Sequence, residues 1–538
     1  MCGIFALIGY NGESTNVNVN FASGTKRGPE HSELKKLNDT VYFGFHRLAI
    51  NGLKLGNQPL YYKHFVLICN GEIYNYKELI AKYDLKVTTG SDCEVIVHLY
   101  DLLGENFINE LDGEFAFLLF NTQNNSTFIA RDPYGVRPLY MNNVGNTFCF
   151  ASDIEPMKCM SLSNITHFKP GTFMVISRGV NYYIQDSVKY HSIVRNTIGD
   201  YRQGLYDVLH KVVLKRVTNT ERPVACLLSG GLDSSLVAAI AAKHFAKKGI
   251  QLETYSIGLS GSEDLKYAAI VAKHINSKHT EIICTESQFF DSIPQVIKDI
   301  ESYDTTSVRA SVGNWNIGKY IKEHSDAKVV LNGDGADELM GGYLYFKKAP
   351  NAFEFDKECK RLLQDIYMFD VLRSDKSISS HGLEPRTPFL DRSWVEFYLS
   401  IDKELRYNTT KNECEKYLIR KSVEVVDPLL LPREILWRTK EAFSDGVSSL
   451  NKSWYKIIQE KIEKLDIDLL EHDLSDIDLF DLTINLTPEQ KYYKSLFNKD
   501  YKDCEHLIEY LWMPKYVNAK DASARTLNCY NENNTNKI

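Results

Sequence analysis

Several features that would assign the sequence to common classes of protein are missing from it. The 11 cysteines include no Cys-x-x-Cys pair and no Cys/His spacing typical of a zinc site. No apolar run approaches the length of a membrane span, and the apolar start has neither a preceding basic region nor a small-residue cleavage site. We therefore expect no secretion signal and no membrane segment, and the scattered cysteines favour a reduced, cytosolic location.

Long runs of a single charge are also missing. With 63 Lys and Arg against 70 Asp and Glu, the net charge is −7 and no basic patch stands out, so we expect neither a nucleic-acid nor a membrane partner. The composition, 43% hydrophobic and 25% charged, is that of a globular protein. A chain of 538 residues is too long for one ordinary core, and we therefore predict two domains.

The first domain, residues 2–185, is predicted to be rich in β-structure. Its short apolar stretches, such as GIFALIGY, FVLICN and EFAFLLF, often alternate with polar residues and are separated by turn residues. Two segments, NYKELIAKY and DCEVIVHLYDLL, have helical spacing instead. This pattern predicts an α+β sandwich of antiparallel sheets flanked by helices.

The second domain, residues 200–520, is predicted to be an α/β domain. Strand-like runs alternate with helical ones: VACLL precedes SLVAAIAAKHFAKK, LETYSIGL precedes LKYAAIVAKHI, and HTEIICT precedes QFFDSIPQVIKDI. Such alternation is typical of a parallel sheet that binds ligands at the carboxyl ends of its strands. From about Gly342 the pattern indicates mainly helices, and the Asn-rich end of the chain predicts a disordered tail over residues 521–538.

Cys2 is the first candidate catalytic residue. Removal of Met1 would leave a thiol and an α-amine on one residue. An α-amine, with an ordinary pKa of about 7.7–8.0, can act as general base for the thiol. The alternative is a small buried residue that opens a strand, and on position alone that interpretation is favoured.

Three further polar positions lie at turns of the first domain. Asn70-Gly71-Glu72 follows a strand and could direct an amide and a backbone N–H at an oxyanion, although Asn-Gly is also an ordinary turn. Arg47 could hold a substrate carboxylate, or could be a surface arginine. Asp92 could receive a substrate ammonium, or could cap a helix.

Taken together, MCGI, RGPE, HRLAI, NGEIYN, TGSDCEV, DGEFAF and RDPYGVRPLY resemble the class II glutamine amidotransferase domain, which has an N-terminal-nucleophile (Ntn) fold. The resemblance implies that Cys2 attacks the carboxamide of glutamine and that Asn70 and Gly71 form the oxyanion hole. It also implies a glutamine-binding set, made of Arg47, Leu48, Ala49, Ile50, Asn51, Asn70, Gly71, Glu72 and Asp92. Glu30 stands in RGPE where the family commonly has Asp.

The second domain contains a glycine-rich turn, SGGLDSS, over residues 229–235. It lies between an apolar strand and a helix, where two glycines let the backbone approach an anion and the helix dipole adds to the attraction. A plain strand-to-helix turn is the alternative. The GK[ST] of a Walker loop is missing, which argues against transfer of a γ-phosphoryl group.

SGGLDSS resembles the loop of ATP pyrophosphatases, enzymes with a parallel sheet that cleave ATP to AMP and pyrophosphate while adenylating a substrate. The resemblance implies ATP as co-substrate, no organic prosthetic group, and Mg²⁺ held by Asp233 and Asp337. Solvated loop carboxylates are the alternative. The implied nucleotide-binding residues are Leu227, Ser229, Gly230, Gly231, Asp233, Ser234, Ile257, Asn332 and Gly333.

Downstream, ESYDTTSVRAS, NGDGADELMGGYLYFKKAPN, HGLEPRTPFLD, WRTKEAFSDGV and WMPKYVNAKDASARTL resemble the synthetase domain of asparagine synthetases. The resemblance implies that Thr306, Ser307 and Arg309 bind aspartate and that Arg309 and Lys440 have catalytic roles, Lys440 by stabilising the transferring phosphate. Asp334 is implied to position the intermediate or accept a proton, although the family usually has Glu there.

The two resemblances together imply that aspartate, glutamine and ATP are converted to asparagine, glutamate, AMP and diphosphate through β-aspartyl-AMP and channelled ammonia. A homodimer is also implied. One alternative is a related amidotransferase or β-lactam synthetase-like enzyme that adenylates another carboxylate. A second alternative, from a different class, is a catalytically silent scaffold or regulator.

Overall fold

The computed structural model describes residues 1–191, 201–465 and 486–527. Its first part contains two six-stranded antiparallel sheets, with strand orders β10-β8-β9-β1-β3-β2 and β12-β11-β7-β6-β5-β4. The strands are β1 Gly3–Ile8, β2 His31–Asn38, β3 Val41–Arg47, β4 Leu60–Tyr62, β5 Phe65–Ile73, β6 Gly113–Asn121, β7 Ser126–Arg131, β8 Tyr140–Val144, β9 Thr147–Ala151, β10 Ile165–His167, β11 Thr172–Arg178 and β12 Tyr182–Lys189. The predicted antiparallel sandwich is confirmed.

Strand β1 shows why the two sheets pack face to face. Its alternate residues Ile4, Ala6 and Ile8 join a buried cluster with side chains of the second sheet. Because neighbouring side chains of a strand point to opposite faces, Phe5 and Leu7 point the other way and pack with helices of the second half of the chain. Strand β1, whose six residues are all buried, is therefore covered on both faces.

Helices cover the outer face of the second sheet. The α-helices of this part are α1 Ser14–Ser23, α2 Tyr76–Tyr83 and α3 Glu94–Leu103. The segments with helical spacing form α2 and α3, as predicted, and pack with β5 and β6 in one apolar cluster. The predicted domain limit at residue 185 falls inside β12, which continues to Lys189.

The middle of the chain forms a five-stranded sheet in which every pair of neighbours is parallel, as the alternating pattern predicts. Its strand order is β15-β14-β13-β16-β17. The strands are β13 Val224–Leu227, β14 Glu253–Leu259, β15 Lys278–Cys284, β16 Val329–Leu331 and β17 Glu384–Arg386.

Helices surround this sheet and dominate the last part of the chain, as predicted. They are α4 Arg202–Thr218, α5 Leu232–Ala246, α6 Glu263–His274, α7 Glu286–Ile300, α8 Thr305–His324, α9 Ala336–Met340, α10 Ala352–Asp365, α11 Asp370–Ser379, α12 Arg392–Ser400, α13 Lys403–Asn412, α14 Tyr417–Val426, α15 Arg433–Leu436, α16 Phe443–Gly446, α17 Trp454–Ile462 and α18 Pro488–Tyr501. Within the described ranges, no helix has the length and apolar character needed to cross a membrane.

The predicted disordered tail begins too early. Residues 521–527 pack on the second half of the chain, because Asp521 accepts hydrogen bonds from Arg309 and Ser523 donates to Asp445 at 2.7 Å. Arg525 also donates to Glu441 at 2.8 Å. The prediction is therefore wrong for residues 521–527, and the rest of the predicted tail, 528–538, lies outside the described residues.

Buried ion pairs join the first half of the chain, residues 1–191, to the second half, residues 201–527. Glu114 of β6 lies 2.9 Å from Arg137 and 2.7 Å from Arg216 of α4. Arg216 also lies 2.7 Å from Asp391, at the start of α12. Both arginines are at most 1% exposed, so their charges depend on these carboxylates rather than on water.

Two more arginines extend this network. Arg386 of β17 pairs with Glu384 at 2.8 Å and with Glu72 of β5 at 3.2 Å. Arg27 pairs with Asp375 of α11 at 2.7 Å. Since the carboxylates come from both halves, the halves must dock in one arrangement for every charge to be paired.

We expect Arg216→Met to destabilise the protein by about 3–5 kcal/mol, because it leaves Glu114 and Asp391 buried with one cation fewer. The midpoint of urea unfolding, followed by tryptophan fluorescence, measures the loss. Lys86→Met is the matched control, since its pair with Asp84 is exposed on both sides and should not shift the midpoint. Equal midpoints for wild type and Arg216→Met would contradict a structural role of the pair.

Two candidate catalytic sites

The thiol of Cys2 lies at the start of β1, facing the chain that follows β3. Its Sγ donates to the carbonyl of Leu48 over 3.5 Å, and its own carbonyl accepts from Arg27 Nε at 2.9 Å. Burial raises the pKa of the Cys2 thiol to about 12, although the nearby terminal amine opposes this. With Met1 attached, the thiol is therefore protonated at neutral pH and is a poor nucleophile.

Met1 holds the terminal amine away from a catalytic position. Its side chain is fully buried and its amine donates to the carbonyl of Leu383 at 2.8 Å. Burial lowers the pKa of this amine to about 5. The amine of Cys2 would become available as a base only after removal of Met1.

Asn70 and Gly71 lie near the end of β5. Asn70 is fully buried, and neither its Oδ1 nor its Nδ2 has a hydrogen-bond partner among the described residues. A Cβ on Gly71 would lie 2.5 Å from the carbonyl of Glu114, so no side chain fits there. Because an unpaired buried amide is unfavourable, this group is suited to a ligand that supplies the missing partner.

Arg47, predicted to bind glutamine, supports the loop that follows it. Its guanidinium donates to Asn57 Oδ1 at 2.7 Å and to the carbonyls of Gly52 at 2.8 Å and Asn51 at 3.1 Å. The residues Leu48, Ala49, Ile50 and Asn51 are thus held in one conformation beside the thiol of Cys2.

The two carboxylates predicted at this site are both buried. Glu72 accepts from Asn51 Nδ2 at 2.8 Å, and Asp92 accepts from the backbone N–H of Ile73 at 2.7 Å. Burial raises the pKa of Asp92 to about 6. Burial and the neighbouring Asp92 raise the pKa of Glu72 well above its ordinary value. The structure brings together the residues predicted for the first site, and both carboxylates are shielded from solvent.

The glycine-rich turn opens the second site. It follows β13 and leads into α5, and it lines a cleft at the carboxyl ends of β13, β14 and β16. Gly230 has φ +70°, and a Cβ there would lie 2.4 Å from the backbone nitrogen of Ala268, so the turn requires glycine. Of the predicted residues, the cleft is lined by Leu227, Ser229, Gly231, Asp233, Ser234, Ile257, Thr306, Asn332, Gly333, Asp334, Asp337 and Lys440.

Two lysines hold the predicted metal-binding carboxylates. Lys416 lies 2.5 Å from Asp233 and 2.6 Å from Asp337, and Lys440 lies 2.5 Å from Asp337. Burial opposes ionisation of Asp337, but the two lysines outweigh it and keep the pKa of this carboxyl below its ordinary range. Sequence reasoning missed Lys416, because KNECEKYLIR has no pattern that separates it from a surface lysine.

The carboxylates at this cleft fit a metal that is also bound by phosphate. Oδ1 of Asp233 is buried without a hydrogen-bond partner, which leaves a hard oxygen donor available. Among the described residues, no group of three or more His, Cys, Asp and Glu side chains could hold a metal by itself. Mg²⁺ commonly takes only one or two carboxylates together with substrate phosphates, so this donor set suits it.

Asp334 lines the same cleft, and its side chain is 18% exposed. Its Oδ1 lies 3.4 Å from Arg373, which makes a shorter pair of 2.5 Å with Asp370. Burial raises the pKa of Asp334, while Arg373 opposes this effect. Arg373 was missed by sequence reasoning, since Asp370 and Arg373 have the spacing of an ordinary helical ion pair.

Arg309 and Ser307 were predicted to bind aspartate, but neither side chain lines the cleft. Arg309 uses its guanidinium to bind Glu489 at 2.8 and 2.6 Å and Asp521 at 2.7 and 2.8 Å. Ser307 donates to Asp304 through both its backbone N–H and its hydroxyl, each over 2.8 Å. Arg309 therefore anchors the C-terminal segment, and Ser307 stabilises the first turn of α8. Gly230 shapes the turn without lining the cleft.

Two family models match the chain. The model described as glutamine amidotransferase domain matches residues 1–197, and the model described as asparagine synthase matches residues 204–355 and 347–481. The chain is 39% identical to the glutamine-hydrolysing asparagine synthetase of Gallus gallus, over 98% of the chain and 99% of the relative. It is 38% identical to the glutamine-hydrolysing asparagine synthetase of Homo sapiens, with the same coverage of both chains.

Proposed function

Since the chain belongs to the glutamine-hydrolysing asparagine synthetases, we propose that its two sites divide one reaction between them. The overall reaction converts L-aspartate, L-glutamine, ATP and water to L-asparagine, L-glutamate, AMP and diphosphate. The first site hydrolyses glutamine and the second activates aspartate. The observation that carries this assignment is the presence, in one chain, of Cys2 and an unpaired buried Asn70 in the first half and of a cleft lined by a glycine turn, two carboxylates and two lysines in the second.

At the first site, the free amine of Cys2 takes the proton of its own thiol once Met1 has been removed. The thiolate attacks the carboxamide carbon of glutamine, and the amide of Asn70 and the N–H of Gly71 stabilise the oxyanion. The amine of Cys2 returns the proton to the carboxamide nitrogen, the C–N bond breaks and ammonia leaves, and water then hydrolyses the glutamyl thioester to glutamate and frees the thiol. We assign the amino-acid end of glutamine to Asn51, Glu72 and Asp92, with Leu48, Ala49 and Ile50 forming the wall of the pocket. Arg47 serves glutamine binding by holding this loop, since its guanidinium is used by Asn57, Asn51 and Gly52.

At the second site, the β-carboxylate of aspartate attacks the α-phosphorus of ATP, and diphosphate leaves. Leu227, Ser229, Gly231, Ser234, Ile257, Asn332 and Gly333 surround the nucleotide, and Gly230 gives the turn its shape. Lys440 and Lys416 stabilise the charge that develops on the phosphates. We assign the carboxylates of aspartate to Thr306 and Arg373, because Arg309 is fully used by Glu489 and Asp521.

We further propose that Asp233 and Asp337 hold Mg²⁺ together with the phosphates of ATP, where the ion would neutralise charge on the leaving diphosphate. Ammonia from the first site displaces AMP from β-aspartyl-AMP, and Asp334 positions the intermediate or accepts a proton. Ammonia has to be passed on inside the protein, because in neutral water it would be protonated and lose its lone pair. We also propose a homodimer in the cytosol.

Cys2→Ala tests the division of labour between the sites. We expect loss of glutamine-dependent asparagine formation, by about 10³-fold or more, because the nucleophile is removed. Ammonium-dependent formation, measured with aspartate and Mg-ATP, should stay within about twofold of the wild type. Release of AMP and amino-acid products is followed by chromatography. Loss of both activities with an unchanged unfolding midpoint would show that the sites are not separate.

The pH dependence of glutamine hydrolysis tests the role of Asp92. Its raised pKa, about 6, means that the carboxylate needed for the substrate ammonium is lost as the pH falls through this value. A base with a pKa of about 7.7–8.0 already gives log kcat/KM a slope of one below that pH. We expect the slope to gain a second unit below about pH 6. Glutamate release measures the profile, and a slope of one down to pH 5 would contradict the assignment.

Asp334→Glu tests the proposed role of the Asp334 carboxylate, because it lengthens the side chain by one methylene. The pair with Arg373 is long, at 3.4 Å, and one more methylene would let the carboxylate approach the guanidinium. We expect ammonium-dependent turnover to be retained or to rise, by up to about tenfold, whereas Asp334→Asn should lower it. AMP release at saturating substrates is the measurement. A large decrease for Asp334→Glu would mean that the site has adapted to the shorter side chain.

A further inference from the structure

The turn between α4 and β13, residues 219–222, belongs to the second half of the chain but contacts the glutamine-binding loop of the first half. We propose that this turn, the interdomain clasp, positions that loop, so that Glu221 and Arg222 determine the affinity for glutamine. The inference rests on the proposed function, because it concerns the substrate of the first site. It adds two positioning residues that touch neither glutamine nor the reacting atoms.

Glu221 makes the most direct contacts. Its Oε1 accepts from the backbone N–H of Gly52 at 2.7 Å, and its own backbone N–H donates to the carbonyl of Ile50 at 3.1 Å. A donor and an acceptor of the loop, two residues apart, are therefore both satisfied by one residue of the clasp. Hydrogen bonds to a charged group are about twice as strong as neutral ones, so the bond from Gly52 is the stronger of the two.

Arg222 acts on the same loop through Glu30. Its Nη2 donates to Glu30 Oε1 at 2.9 Å, and Glu30 Oε2 accepts from the backbone N–H of Ala49 at 2.7 Å. The two oxygens of one carboxylate thus join the clasp to the loop. Arg222 fixes the rotamer of Glu30, which would otherwise be free to turn away from Ala49.

Asn219 is the third residue of the clasp that contacts the glutamine site, and it is buried. Its carbonyl accepts from Asn51 Nδ2 at 3.4 Å, and its own side-chain amide donates to Glu72 at 3.2 Å. Each residue from Ala49 to Gly52 is therefore connected to the clasp by hydrogen bonds, either directly or, for Ala49, through the side chain of Glu30. Asn219 is 6% exposed, so water cannot readily replace these bonds.

The glutamine pocket is in this way completed by the second half of the chain. Gly52 has φ +59°, and a Cβ there would lie 2.7 Å from the backbone of Gly90 and Ser91, next to Asp92. A shift of the loop would therefore disturb both the wall of the pocket and the carboxylate at its end. Holding the loop in the bound conformation spares the substrate the entropic cost of ordering it.

Glu221→Ala is the decisive variant. We expect the KM for glutamine to rise about tenfold, since one charge-assisted bond is lost, with kcat within about twofold because Cys2 and Asn70 are untouched. Glu221→Gln keeps an oxygen acceptor and should give about a threefold rise. Arg222→Ala should raise KM about threefold, and Arg222→Lys less, because a lysine can still reach Glu30. Ammonium-dependent synthesis should not change in any of them.

Two measurements separate positioning from general damage and from failure of the proposed function. Glu509→Gln is the matched control: it removes an ion pair of 3.4 Å with Lys169, also between the two halves but away from the loop, and should leave KM unchanged. Glutamine binding is also measured by calorimetry in the Cys2→Ala background, where Glu221→Ala should raise Kd about tenfold. An unchanged Kd, or equal losses of kcat and ammonium-dependent rate, would overturn the positioning role whether or not the wild type hydrolyses glutamine.

Discussion

Pairing of buried charges between the two halves is the constraint on which the rest of the structure depends. Arg137, Arg216 and Arg386 are each at most 1% exposed, and a guanidinium cannot shed its charge. Their burial is tolerable only while each faces a carboxylate, and those carboxylates, among them Glu114 and Glu384, come from both halves. One docked arrangement satisfies all of them. The same arrangement holds the first site against the parallel sheet, because Glu72 of β5 pairs with Arg386 of β17, the neighbour of β16.

The two sites differ in whether their polar groups have partners within the protein. At the first, the amide of Asn70 is left without a partner, which costs about 1–3 kcal/mol for a neutral group. At the second, carboxylates without partners would cost far more, and Lys416 and Lys440 neutralise Asp233 and Asp337. A ligand at the first site therefore gains new hydrogen bonds at once. A nucleotide at the second site brings its own negative charge to lysines that already pair with Asp233 and Asp337. Lys416 and Lys440 therefore have to move towards the phosphates or contact both the phosphates and the carboxylates.

Sequence reasoning succeeded where a local signal exists. Buried strands such as β1 and β6 have apolar periodicity, and the turn at Gly230 needs glycine because of its own backbone angle and its close neighbours. It failed where a role depends on distant partners. Lys416 meets Asp233 across 183 residues of sequence, and Arg309 meets Glu489 across 180. Strand β17, Glu384–Arg386, is three residues long with a central proline, so its place beside β16 follows from docking and not from propensity.

Glu30 and Asp334 are acids for which the resemblance to the family implies a side chain of another length, and their surroundings differ. The two oxygens of Glu30 span the gap between Ala49 and Arg222, so the length of this side chain is used to join the halves. Asp334 meets Arg373 only at 3.4 Å. The first carboxylate makes two short contacts at a loop, whereas the second makes one long contact in a cleft. The partners that surround a carboxylate decide what the length of its side chain does, and they are set by the docking of the two halves.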